Sequence, residues 1–198
     1  MSLASALASA LDKALRDADT VVDDILLSRD LKSVAGGIAQ RHQVEPVRLH
    51  RVVMDNPHPT KMAVPGDPGK EDPAVHPGTA VELFVTVDGV TTLAMAGGDD
   101  DELSRAGVTV DTEGQRLVAR YASEHPLAEV ANRFFAEAMR VIEQTVESVN
   151  QRVGEYNEAL EPAVLKELEG CREHAAERKT FAAGLKLPDS YERWWGRP

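Results

Sequence analysis

Cysteine is almost missing from this chain: Cys171 stands alone among 198 residues. A single thiol supports neither a disulfide framework nor a zinc site, and it fits a reducing cytoplasm. Aromatic residues are also few, at 5%. The core must therefore be built mainly from Val, Leu and Ala, which suits helices better than an aromatic-rich sheet. Basic charge is short as well, with 22 Lys and Arg against 33 Asp and Glu and a formal net charge of -11. A polyanion is repelled by such a body, so nucleic acid and anionic membrane surfaces are disfavoured as main ligands. No apolar run is long enough to span a bilayer, and the Ser2–Leu11 stretch lacks the basic region of a signal peptide. These features predict a cytoplasmic protein.

The hydrophobic fraction of 42% and charged fraction of 28% are those of an ordinary folded protein, which excludes global disorder. The strongest pattern is a heptad run. Phe135, Met139, Ile142, Val146, Val149, Val153, Tyr156 and Leu160 recur at alternating spacings of four and three. That is the seam of a long amphipathic helix, and it predicts a second helix as cover.

Four segments follow from the periodicity. Residues 1–43 read as N-terminal helices. The first covers 3–27, with Leu7, Leu11, Ala14, Ala18, Val22 and Ile25 on one stripe; a shorter one covers 30–42, with Asp30 as its N-cap. Residues 44–125 read as β-rich, with strands near Val47–Met54, Thr79–Val87, Gly107–Asp111 and Gln115–Ala122. Asp88-Gly89 reads as a hairpin turn into a partner strand over Val90–Ala96. Within this segment, 56–78 carries Pro57, Pro59, Pro65, Pro68, Pro73 and Pro77 and reads as a long loop. Residues 126–184 read as a helical hairpin opened by Pro126, broken or restarted at Pro162 and stopped at Gly184; one helix continuing through Pro162 is the alternative. Residues 185–198 form a tail holding both tryptophans. The fold class is thus α+β: N-terminal helices, a small central antiparallel sheet and a long, coiled-coil-like C-terminal helical hairpin, together one structural unit.

Several positions carry a resemblance: Ile142, Val149-Asn150, Tyr156-Asn157-x-x-Leu160, Arg172 and the closing Gly184-Leu185-Lys186-Leu187-Pro188, with Val44-Glu45-Pro46 and Gly97-Gly98-Asp99 in the sheet region. This pattern resembles a helical module of uncharacterised bacterial proteins, which in some of them precedes a restriction-endonuclease-like nuclease domain. The resemblance implies a non-catalytic sensing, scaffolding or oligomerising part of a bacterial defence apparatus. No D…ExK arrangement follows the module here.

Candidate chemistry is sparse. Asp99, Asp100, Asp101 and Glu102 are the best metal-like cluster, since carboxylates on a turn can hold calcium or magnesium, but they lack EF-hand spacing. Pro65-Gly66-Asp67-Pro68-Gly69-Lys70 fails as a phosphate loop because Glu71 follows the lysine. His58 and His76 bracket the proline-rich stretch and could approach one another. Cys171 and His174 share a helix face at i+3. Val34–Val53 can be stretched into a helix-turn-helix with Arg48 and Arg51 facing DNA, although the Val47/Leu49 alternation argues for a strand. No GxSxG, HExxH or Cys/His signature is present, so an enzyme has little support and no cofactor is expected.

The sequence therefore predicts a protein-protein interaction, scaffold or sensor component, with a protein partner or a second copy of itself. The predicted interface comprises Phe135, Met139, Ile142, Val146, Val149 and Val153 of the seam and Trp194 and Trp195 of the tail, since exposed tryptophan beside arginine is the composition of an interface anchor. The competing expectation is a small-ligand or divalent-ion binder, or a hydrolase, centred on 56–78 and 97–102.

Overall fold

The computed structural model describes residues 2–64, 74–97 and 102–185. The architecture is α+β, with N-terminal helices, a five-stranded antiparallel sheet and one long C-terminal helix. Eleven elements are present among the described residues: α1 (Leu3–Asp19), α2 (Asp23–Ser28), α3 (Leu31–His42), β1 (Arg48–Met54), β2 (His58–Val64), β3 (Ala74–Asp88), α4 (Val90–Gly97), α5 (Glu102–Arg105), β4 (Val108–Asp111), β5 (Arg116–Ser123) and α6 (Ala128–Gly184). They divide into two compact units. A sheet unit holds 1–8 and 44–156; a helical unit holds 9–43 and 157–198.

In the sheet unit the strand order is β1-β3-β5-β4, and β2 also pairs with β3. β1 takes the Leu83–Asp88 end of β3 and β2 takes the Ala74–Ala80 end, while β5 runs along Thr79–Thr86. The strands expected over 47–54, 107–111 and 115–122 are found within a residue or two, and the one expected over 79–87 is the second half of a longer strand that starts at Ala74. The β4–β5 turn is held by Asp111, whose carboxylate accepts from the Gly114 N–H (2.8 Å) and from Arg116 Nε (2.8 Å).

Two stretches differ from expectation. The 56–78 region is not a continuous loop, because 58–64 and 74–78 pair in register as a β2–β3 hairpin arm. Pro59 and Pro77 fit because the arm has free edges: among the described residues β2 pairs with β3 alone, and Pro77, opposite Lys61, lies beyond the stretch of β3 that pairs with β5. A missing N–H costs nothing where no strand would accept it. The second difference is Val90–Gly97, which is helical rather than a partner strand. Gly89, at φ +77°, turns the chain sharply out of β3, and its Cα hydrogen faces the Val47 backbone where a Cβ would come within 3.3 Å. Val90, Leu93 and Ala96 then fall on one buried helical face, a spacing that outweighs the β-branched Val-Thr-Thr start.

The heptad seam is buried as its spacing demands, but a sheet covers it. Phe135, Ile142, Val146, Val149 and Val153 join one core with Leu83, Val85, Val87, Leu117 and Ala119, together with Leu93 and Leu3; Met139 is half-buried against it. Asn150, on the same helix, clamps the chain entering β1: its Oδ1 accepts from the Val47 N–H (2.7 Å) and its amide donates to the Val47 carbonyl (2.9 Å).

The helical unit has its own buried set: Ala14, Ala18, Leu26, Leu31, Ala35, Ile38, Ala39, Leu160, Val164, Leu168 and Ala175. α6 is one helix of 57 residues and not a hairpin; Pro162 lies inside it. Pro162 is solvent-exposed while Leu160 and Val164 on either side are fully buried, so packing on the opposite face offsets the lost backbone bond. The expected single helix over 3–27 breaks at Thr20, and Val22 is exposed rather than on a buried stripe. Asp30 caps α3 as its sequence position implies, accepting from the Lys32 and Ser33 N–H groups. Arginines of α6 tie down α2. Arg172 donates to the carbonyls of Leu26 and Arg29 (both 2.6 Å), satisfying the carbonyl end of α2. Arg178 grips Asp23 with two nitrogens (3.1 and 2.6 Å). That contact holds the Asp23 carboxyl below its usual range.

Candidate functional site: an open edge strand and an adjoining apolar pocket

β1 is unusual for a strand beside a hydrophobic core. Among the described residues it pairs with β3 alone, leaving its outer edge free, and six of its seven residues are exposed. Antiparallel register places Val52 opposite Val85 and Met54 opposite Leu83. Directly opposed residues share a sheet face, so Val52 and Met54 lie on the core face. Val85 and Leu83 are buried there, yet Val52 is 48% and Met54 52% exposed. Val53, opposite Phe84, is exposed on the other face. β1 therefore offers apolar side chains on both faces and an unpaired backbone between them. Sheet edges are ordinarily guarded by charge, proline or bulges. The guards here are a bulge between Leu49 and Val52 and the charged Arg48 and Arg51, while His50 Nε2 lies 2.6 Å from Asp88 Oδ2.

Where β1 ends, a pocket of about 310 Å³ opens, lined by Met54, Asp55 and Pro57, by Thr79, Val81 and Tyr121 of the sheet, by Pro126 and Leu127, and by Ala128, Ala131, Asn132 and Phe135 of α6. Phe135 closes it from the core side, and Tyr121 and Phe135 both pack against Phe134, with ring centroids 5.9 and 5.3 Å apart. Leu127 (62% exposed) stands at its mouth and Val130 (48%) extends the apolar surface outside it. The pocket exists because β1 leaves β3 at Leu83 and β2 joins at Ala80, so the core face near Val81 is only partly covered.

Among the described residues expected to act, Phe135 lines the pocket and the others do not. The seam residues Phe135, Ile142, Val146, Val149 and Val153 are side chains of the sheet unit's own core, because the face expected to await a second helix is occupied by the sheet. Trp194 and Trp195 lie outside the described residues, as do Asp99, Asp100 and Asp101; Glu102 is exposed at the start of α5. The helix-turn-helix is excluded, since its recognition segment is strand β1. His58 and His76 are not brought together: His58 faces Ala80 across the hairpin, His76 faces Met62, and His76 Nδ1 lies 3.4 Å from Glu124. Cys171 donates to Asp19 (3.6 Å). Burial and that carboxylate push its thiol up, opposite to what a nucleophile needs, and His174 sits beside Glu177 instead. Asp19, Glu167 and Cys171 do bring three possible ligand atoms within 4.8 Å of one another. With the thiol held protonated and both carboxylates exposed, this cluster is a surface network. Sequence reasoning missed the β1 edge and the pocket; the one signal was the run Val52-Val53-Met54, too apolar for an alternating strand.

The fold and these surfaces define an α+β protein with an open-edged sheet. Comparison with known proteins found no matching family model, no matching curated protein and no matching solved structure. No helix among the described residues is long and apolar enough to cross a membrane.

Proposed function

We propose that this chain is a non-enzymatic protein-interaction component, of the scaffold or sensor kind, whose contact surface is β1. The observation that carries the reading is the exposure of Val52, Val53 and Met54 on a strand with a free edge. An added strand would gain main-chain hydrogen bonds along that edge, while the flanking apolar side chains would supply buried area. Assignment to a bacterial anti-phage or conflict system rests on the resemblance of the 128–188 region. The net charge of -11 favours a basic protein partner over nucleic acid.

The test compares wild type with a Val52→Lys/Met54→Lys double variant, each tagged in the native host and purified under matched conditions. Both substitutions are at exposed positions, so melting temperatures should agree within a few degrees. The reading expects a stoichiometric partner with wild type only, and cross-links from that partner concentrated in Arg48–Met54. Equal recovery by both proteins, or a solitary monomer at high concentration, contradicts it.

A second reading, a small-ligand binder, is favoured by one observation: a pocket of about 310 Å³ opens at the end of β1 and touches the expected 56–78 region at Pro57 alone.

A further inference from the structure

We infer that the pocket beneath Tyr121 and Phe135 is a binding site for a small cationic amphiphile, an arylalkyl amine, with its ring inside and its ammonium at Asp55. This inference rests on the ligand-binding reading and names the ligand class for that site. Three features specify the class. Volume comes first. About 310 Å³ lies at the small end of ligand pockets and suits one bicyclic ring with a short side chain. The second is the lining, which includes Val81, Ala131 and Phe135 and the ring of Tyr121. These are apolar and aromatic surfaces on rigid elements, and a planar ring gains more from them than a flexible chain does.

Charge decides the head group. Among the described residues that line the pocket, Asp55 is the one ionisable side chain of fixed charge, and no Lys or Arg lines it. Asp55 is fixed in place: its backbone N–H donates to the Glu82 carbonyl (2.9 Å) and its carboxylate accepts from the Asn56 N–H (2.7 Å). An acid would meet a carboxylate and the field of a body at -11; an ammonium would be drawn by both. Asn132 and Thr79 supply hydrogen-bonding groups at the same site.

The test uses the full chain and three probes of one ring system: tryptamine, the neutral 3-ethylindole, and indole-3-acetate. Binding is read by heteronuclear NMR titration, which also locates the shifts. Tryptamine is expected to bind in the sub-millimolar to millimolar range usual for ligands of about a dozen heavy atoms, with shifts at Val81, Tyr121 and Ala131. Indole-3-acetate should bind at least tenfold more weakly, and 3-ethylindole should fall between them. Ala131→Trp fills the pocket and should abolish binding of all three probes. If that half-buried site does not tolerate the indole, the exposed Asp55→Asn still tests the inference, since it should remove the preference for the amine and leave 3-ethylindole unchanged. Equal or tighter binding of the acid overturns the ligand class while leaving a pocket in place. Absence of binding by every probe overturns the class and the ligand-binding reading together.

Discussion

The two units are held by different means. The sheet unit is held chiefly by apolar burial: seven α6 residues from Phe135 to Val153 and the inward faces of β3 and β5 form one cluster, with Asn150 as a polar fastening. In the helical unit, short side chains such as Ala14, Ala18, Ala35 and Ala39 provide much of the buried set, and arginines of α6 fasten both ends of α2. Small side chains bury little area each, so polar fastenings carry proportionally more of that unit. It follows that core polarity should break the first unit and loss of single arginines should loosen the second.

The largest effect is expected from Ile142→Asp, which places an unpaired charge at a fully buried position. It should cost at least about 4 kcal/mol and abolish the cooperative transition of the sheet unit in urea. A variant that melts like wild type would show that the seam is not core. Leu168→Ala, in the helical unit, should cost about 3 kcal/mol by the same assay. A much smaller loss would mean that its Ala-rich surroundings collapse into the space. Arg172→Ala removes two bonds to the carbonyls of Leu26 and Arg29 and should cost about 2 kcal/mol. Hydrogen exchange should localise the loosening to α2 and spare the sheet. Asn150→Ala is the matching test in the sheet unit; losing both bonds to Val47 should cost about 1–2 kcal/mol. If it proves costlier than Arg172→Ala, the contrast between the units is inverted.

The smallest effect is acid sensitivity. Asp23 is lowered by its hydrogen bonds from Arg178, and Asp17 by its bond to His42. A depressed folded-state value stabilises the fold above the unfolded value of 3.8, and the contribution is lost as pH falls through the folded value. Stability of the helical unit should therefore begin to fall below about pH 5 and keep falling into the acid range. Asp23→Asn should flatten that limb when chemical melts are repeated from pH 6 to 2. An unchanged limb would assign it to Asp17, or to Asp111 and Glu137 of the sheet unit, which are lowered too.

Element type was legible where periodicity was long or turn chemistry specific: the seam, the Asp30 cap, the stop at Gly184 and the β4–β5 hairpin follow from residues a few positions apart. The failures share a cause. Proline marks a loop locally, and only the pairing of β2 with β3 reveals that Pro59 and Pro77 sit at free edges. Val90-Thr91-Thr92 favours a strand until the burial of Leu93 and Ala96 selects a helix. Asn150 and Arg172 stood out in the sequence without a role, because their partners lie 103 and 146 residues away. The candidate site was least legible, since an edge is defined by which strand is not beside it, and this pocket by where β1 leaves β3 and β2 joins it.

Hydrogen exchange with and without the partner recovered by wild type tests the β1 surface most directly. In the free protein, β1 amides should exchange faster than those of Thr79–Thr86 in β3, which pair on both sides for much of their length. On adding the partner, new protection should appear in Arg48–Met54. Protection that develops elsewhere while β1 stays as exposed as before would contradict the assignment of β1 as the contact surface.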